Sequence, residues 1–209
     1  MNVFKATFVS AALAAVVLFG SQAHADIIVS INGIAKADDP TNTFASFGGA
    51  VGTFNINSIT SAGVGAFGGN AELADNGSFD ISTHGSGSLT ILLTETNLTL
   101  SGPSAIFGLD FTGTISNAAV TRSFFLDTSN SGSESVLLGS TSGANAMFDS
   151  APQPLSGPFS ITEEIDVTAT GAGATLSADD AVFIPEPVSL SLVGLGLLTL
   201  AGLGRFRRA

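Results

Sequence analysis

Between residues 26 and 184 the chain repeats one pattern: short runs in which apolar and polar side chains alternate, separated by Gly, Asn, Ser and Pro clusters. The clearest run is Phe159–Thr168 (FSITEEIDVT). Phe159, Ile161, Ile165 and Val167 share one face with Glu163, while Thr162, Glu164, Asp166 and Thr168 share the other. One buried face and one wet face is the habit of an antiparallel strand. Ser88–Thr94 (SLTILLT) repeats the pattern with Leu89, Ile91 and Leu93 on one side, and Asn97–Leu100 continues it or pairs with it.

The remaining runs are shorter. Asp26–Ile31 predicts a first strand that leads into a turn at Asn32-Gly33. Lys36–Asn42 (KADDPTN) is rich in turn formers and reads as a loop. In Thr53–Asn57, Phe54 and Ile56 fall on one side. Gly63–Asn70 is too glycine-rich for a helix. Asn76-Gly77 signals a turn ahead of a short strand, Ser78–Ser82, and His84–Gly87 signals another turn. Phe107–Ile115 and Val120–Leu126 flank Ser116-Asn117 and predict a hairpin. Ser129–Ser133 is a turn, followed by a short strand at Ser135–Leu138. Ser150–Pro158 holds three prolines and reads as a loop. Thr170–Ala174 is a turn before a last strand, Thr175–Ile184. Regular short strands without a helical period predict an all-β body, an antiparallel β-sandwich of jelly-roll or immunoglobulin-like type.

Both ends break the period. Lys5 precedes an apolar stretch from Ala6 to Gly20, and Ala23-His24-Ala25 forms an A-x-A site with Asp26 as the first mature residue. This is the layout of a secretory signal peptide, residues 1–25, with Ala23, Ala25 and Asp26 at the signal peptidase site. At the other end, Ile184-Pro185-Glu186-Pro187 leads into Val188–Gly204, 17 residues without a charge, and then Arg205, Arg207 and Arg208. As a helix those 17 residues span about 25 Å, just short of a hydrocarbon core of about 30 Å. The arginines suit cytoplasmic headgroups. The prolines keep the approach extended.

This order of proline-flanked glutamate, short apolar helix and arginine cluster resembles the PEP-CTERM sorting signal of exopolysaccharide-producing Gram-negative bacteria. The tetrapeptide differs from the usual Val-Pro-Glu-Pro by one conservative change. The resemblance covers about 25 residues and implies recognition and cleavage by an exosortase, a membrane enzyme that supplies its own catalytic groups. Pro185, Glu186 and Pro187 are then recognition residues, and Arg205, Arg207 and Arg208 a cytoplasmic anchor. Gly87–Thr94 and Gly157–Glu163 (GPFSITE) are similar in texture to the β-sandwich ectodomains that often precede this tail. The expected organisation is a signal peptide (1–25), a sandwich ectodomain (26–183) and a sorting and anchor segment (184–209) with a transmembrane helix at 188–204.

Charge and composition narrow the chemistry. From Asp26 to Ile184 the only basic residues are Lys36 and Arg122, against sixteen acidic ones, a net −14. Such a body repels phosphate backbones, which excludes nucleic acid as a partner. There is no cysteine, so neither disulfides nor thiolates contribute. The aromatic residues are all Phe, 16 of them, without the Trp or Tyr faces on which sugars usually stack. His84 is the sole imidazole once the signal peptide has gone, and no nucleophile elbow accompanies it. Glu163 and Glu164 alternate faces and cannot act as a carboxyl pair. Glu163, on the apolar face, must lie at a sheet edge or be hydrogen-bonded. The acidic pairs Asp38-Asp39 and Asp179-Asp180 are calcium candidates by ligand type, without a known loop pattern.

The expectation is therefore a protein without a catalytic site or a required cofactor. It would pass the Sec translocon and signal peptidase, reside transiently in the inner membrane, meet an exosortase, and end at the cell surface or in the extracellular matrix. Its role would be structural or adhesive, linked to exopolysaccharide or biofilm. The alternatives are a secreted polysaccharide-active hydrolase or lyase and a calcium-stabilised adhesin module.

Overall fold

The structure, a computed structural model, describes residues 26–41, 43–63, 76–100 and 103–184. The signal peptide, the sorting motif Pro185–Pro187, the 188–204 helix and Arg205, Arg207 and Arg208 lie outside the described residues. Among the described residues no helix is long and apolar enough to cross a membrane.

Fourteen strands are described: β1 (Ile27–Ile31), β2 (Ile34–Asp39), β3 (Ala45–Val51), β4 (Phe54–Ser61), β5 (Asn76–Thr83), β6 (Gly87–Leu98), β7 (Ser104–Ala105), β8 (Gly108–Ser116), β9 (Ala118–Asp127), β10 (Val136–Ser142), β11 (Ala146–Asp149), β12 (Gln153–Pro154), β13 (Phe159–Ala169) and β14 (Thr175–Phe183). Twelve of them form two six-stranded antiparallel sheets. Sheet A runs β10-β9-β13-β6-β1-β2, and sheet B runs β11-β8-β14-β5-β4-β3. β7 and β12 make a separate two-stranded pair.

Alternation explains why the sheets pack face to face. Every second residue of β13, from Phe159 to Ala169, is buried, and β6 does the same from Leu89 to Glu95. One core cluster joins Val29, Ile91 and Ile165 of sheet A to Phe54, Ile59 and Leu176 of sheet B. A second joins Phe124, Leu126 and Ile161 to Leu109, Phe111 and Val182. At one point the backbones come very close: a Cβ on Gly113 would lie 2.6 Å from the Ser177 carbonyl oxygen and 2.7 Å from the Ala178 Cβ, so only glycine fits there.

Several expectations are corrected. Lys36–Asp39 is strand, not loop. It belongs to β2, an edge strand with mostly exposed side chains, and so shows no apolar period. Asn32 (φ 50°) and Gly33 (φ 73°) form the tight turn that starts its pairing with β1. Asn76-Gly77 opens β5 instead of turning the chain; Gly77 is pressed against the Phe79 ring and Leu93. β8 and β9 are not a hairpin. Asn117 (φ 53°) carries the chain from sheet B to sheet A. The loop expected at Ser150–Pro158 includes β12, paired with β7. Of the two readings of Asn97–Leu100, continuation of the strand holds as far as Leu98, where β6 ends.

Three edge strands, β2, β3 and β10, carry a register shift against their neighbour, at Val29/Ser30, Phe47/Gly49 and Leu137/Gly139. Such bulges twist an edge away from further pairing. The described body begins and ends at the same end of the sandwich. β1 starts opposite Glu95, whose other neighbour is Ile161, and β14 ends opposite Gly108. Ile161 and Val182 belong to the same core cluster, and Ile184 packs on it.

Candidate functional site

Four ionisable side chains occupy inward positions where the strand phase calls for apolar residues: Glu95 (2% exposed), Arg122 (0%), Glu163 (0%) and Asp180 (0%). Arg122 alternates with Val120, Phe124 and Leu126 on β9. Glu163 alternates with Ile161 and Ile165 on β13. Asp180 alternates with Ala178 and Val182 on β14. Burial of a charge is tolerated only with a partner, and here the partners come from opposite sheets. The Arg122 Nη1 lies 3.2 Å from the Asp180 Oδ1, and its guanidinium stands 5.6 Å from the centre of the Phe111 ring. β13 is the third strand of six in sheet A, so Glu163 is not at an edge. It lies on the strand beside Arg122, since its inward neighbour Ile165 pairs with Arg122 across the β13–β9 ladder.

Burial raises the pKa of Asp180. The bond from Glu163 and the charge of Arg122 oppose that rise, and Asp179 and Asp110 add to it. Three groups sealed from water cannot meet a substrate unless the sheets part, so this cluster is suited to holding the sheets together. The cavity lined by Phe54, Ile81, Thr83, Ala118, Val167 and Leu176 is about 10 Å³, room for a single water.

The sequence-predicted acidic pairs are not brought together as pairs. Asp179 is exposed while Asp180 points inward to Arg122. Adjacent strand residues face opposite ways. Asp38 is exposed, and the Asp39 carboxylate is filled by its own loop. It accepts bonds from the backbone N–H and hydroxyl of Thr41 and of Thr43 and from the N–H of Phe44, at 2.6–3.0 Å. These bonds, Phe44 foremost, hold its pKa well below the usual carboxylate range. Among the described residues no group of three or more His, Asp or Glu is placed to hold a metal ion.

A second loop of the same design occupies the turn expected at Ser129–Ser133. Asp127 ends β9 as Asp39 ends β2, and each is followed by hydroxyl residues two and four positions on. Asp127 accepts from the N–H and hydroxyl of Ser129 and of Ser131, at 2.6–2.8 Å. Burial opposes ionisation of Asp127, but these bonds outweigh it and lower its pKa. The loop then folds over the outer face of sheet A. Asn130 and Asn97, both at positive φ, exchange bonds of 2.6 and 2.7 Å, and the Gly132 N–H donates to the Ser160 hydroxyl. The signal was the twice-repeated D-x-[ST]-N-[ST] spacing.

Glu164 faces outward on sheet A. Burial raises its pKa, helped by the charges of Glu134 and Asp166. His84 is exposed in the turn after β5, where its N–H donates to the Thr53 carbonyl. That turn lies far from the end where β1 begins and β14 stops. Of the expected signal peptidase residues, Asp26 is described, and its carbonyl accepts from the Thr96 N–H. Compared with known proteins, the chain matches no family model and no curated protein.

Proposed function

We propose that this chain is an exported, non-enzymatic protein of the cell surface or extracellular matrix. It is carried across the inner membrane behind residues 1–25 and sorted through residues 184–209. An exosortase then cuts it near Pro185-Glu186-Pro187 and leaves the β body at the envelope or in extracellular polysaccharide. Its work there is structural or adhesive.

The observation that carries this reading is the position of the three-part C-terminal segment. It follows directly on Ile184, where the last strand stops and packs on the core. The body would then stand off the membrane from one end, with the His84 turn at the far end. A body whose ionisable core groups are sealed supports a scaffold role over catalysis. Twelve strands in two sheets, with the chain changing sheets at β2–β3, β5–β6, β6–β8 (through β7), β8–β9, β10–β11, β11–β13 (through β12) and β13–β14, favour a jelly-roll winding over an immunoglobulin-like sandwich of about seven to nine strands.

The test is replacement of Pro185, Glu186 and Pro187 by alanine in the producing cell. The full-length chain should accumulate in the inner membrane. Normal shortening and release of the altered chain would refute the sorting role.

A further inference from the structure

We propose that the end of the sandwich from which the chain leaves toward residues 185–209 is a lipid-contact surface, and that the tethered body rests by it on an electrically neutral phospholipid bilayer.

The exposed apolar side chains are unevenly placed. Among the described residues seven large ones are exposed, and five of them gather at the end where β14 stops. Phe44 (54% exposed) sits in the loop between β2 and β3, Leu100 (36%) just past the end of β6, and Ile106 (43%) just ahead of β8. Val136 and Leu137 open β10, in line with Ile27 and Ile28 at the start of β1. At the opposite end the connections are Gly52-Thr53, His84–Ser86, Asn117, Gly143–Asn145 and Thr170–Ala174, and none holds a large apolar residue. Turn residues are polar or small by default, so an apolar collar at one end only marks a contact surface.

The collar is held outward. The Phe44 N–H donates to the Asp39 carboxylate at 2.8 Å, in the loop which that carboxylate organises. Beside Ile106, the Phe107 N–H donates to the Ser150 hydroxyl at 3.0 Å, and the Phe107 carbonyl accepts from the Ser150 N–H at 2.8 Å. These bonds fix the backbone from which Phe44 and Ile106 project.

The occupant follows from the chain beyond the last strand. Ile184 packs on the core at this same end. Only Pro185, Glu186 and Pro187 separate it from Val188–Gly204, 17 residues without a charge. Three extended residues reach about 10 Å, so a bilayer entered at Val188 lies against the collar. Exposed apolar side chains there would enter the boundary between headgroups and acyl chains. The inference rests on the tether reading above. Charge selects the lipid. Of the two bases between residues 26 and 184, Arg122 is buried, and the acids Glu134 and Asp149 are exposed at this end. An anionic surface would repel it.

The full chain, reconstituted in phosphatidylcholine vesicles, tests the contact. It has no cysteine, so Ser104→Cys and His84→Cys place single fluorophores beside the collar and at the far end. Lipids with a quencher on the acyl chain should quench the label at position 104 and spare that at position 84. Phe44→Ser, Leu100→Ser and Ile106→Ser together should abolish the quenching while the chain still floats with the vesicles. Added phosphatidylglycerol should weaken it. A label at position 104 quenched no more than that at position 84, or quenching that survives the triple replacement, would overturn the lipid contact and leave the tether standing. A chain that does not float with the vesicles would overturn both. Disulfide-linked pairs through position 104, without quenching, would overturn it in favour of a second copy at the collar.

Discussion

Arg122→Met is the sharpest probe of what joins the two sheets. Methionine keeps an unbranched stem that can fill the space beside Phe111, so the change removes the charge with little loss of packing. It leaves Asp180 and Glu163 buried without a cation. Breaking a buried pair by deleting one partner costs about 3–5 kcal/mol. A chain of this size gains or loses about 2–4 °C in melting temperature per kcal/mol, which predicts a drop of roughly 6–20 °C at neutral pH. The chain has no Trp or Tyr, so the melt must be followed by far-ultraviolet circular dichroism. The loss should shrink at acid pH, where Asp180 can become neutral. Adding Asp180→Leu to Arg122→Met should recover a large part of the loss, because a buried ion pair replaced whole by apolar groups is often neutral or better. A single variant that melts within about 2 °C of wild type, or a double variant worse than the sum of its parts, would refute the view that Arg122 is held by Asp180.

Three further predictions concern the backbone and the loops. Asp127→Ala removes the acceptor that organises Ser129 and Ser131, and should cost about 1–3 kcal/mol at neutral pH and less below about pH 3, measured by urea unfolding at both values. An equal cost at both would exclude ionised Asp127 as the source. Gly113→Ala forces β8 away from Ser177 and Ala178 and should cost about 1–3 kcal/mol. Gly157→Ala, with open space around it, should stay within about 0.5 kcal/mol.

What was legible in the sequence was whatever the period of two records. The inward faces of β6 and β13 could be written down residue by residue, and the place of Glu163 among apolar neighbours was visible. The same alternation placed Arg122 between Val120 and Phe124 and Asp180 between Ala178 and Val182, but a lone charge in an apolar phase carries no pointer to its partner. The partners sit on opposite sheets, and strand assignment to sheets is a long-range property. For the same reason the corner at Asn117 looked like a hairpin: a polar residue able to take positive φ serves both. β2 was illegible because an edge strand with both faces wet has no apolar phase. The Asp127 loop was written in the chain twice, yet its hydroxyls read as generic turn residues until their bonds to one carboxylate were seen.

The two kinds of buried or half-buried carboxyl group act on opposite flanks of the pH scale. Asp39 and Asp127 are held ionised by hydrogen-bond donors, so their folded affinity for a proton is below the unfolded one. Such groups stabilise the fold above about pH 4, the unfolded value, and release that stability as pH falls further. Asp180 and Glu164 are driven the other way by burial, so they favour the fold below that value and weaken it as pH climbs. The acid-sensitive groups sit in loops that close on their own strands. Of the alkali-sensitive groups, Asp180 sits where sheet meets sheet and Glu164 on the outer face of sheet A. Acid should therefore loosen the edges of the body first, with the Asp127 flap lifting from Ser160, whereas alkali acts on the joint between the layers and should unfold the body as one unit.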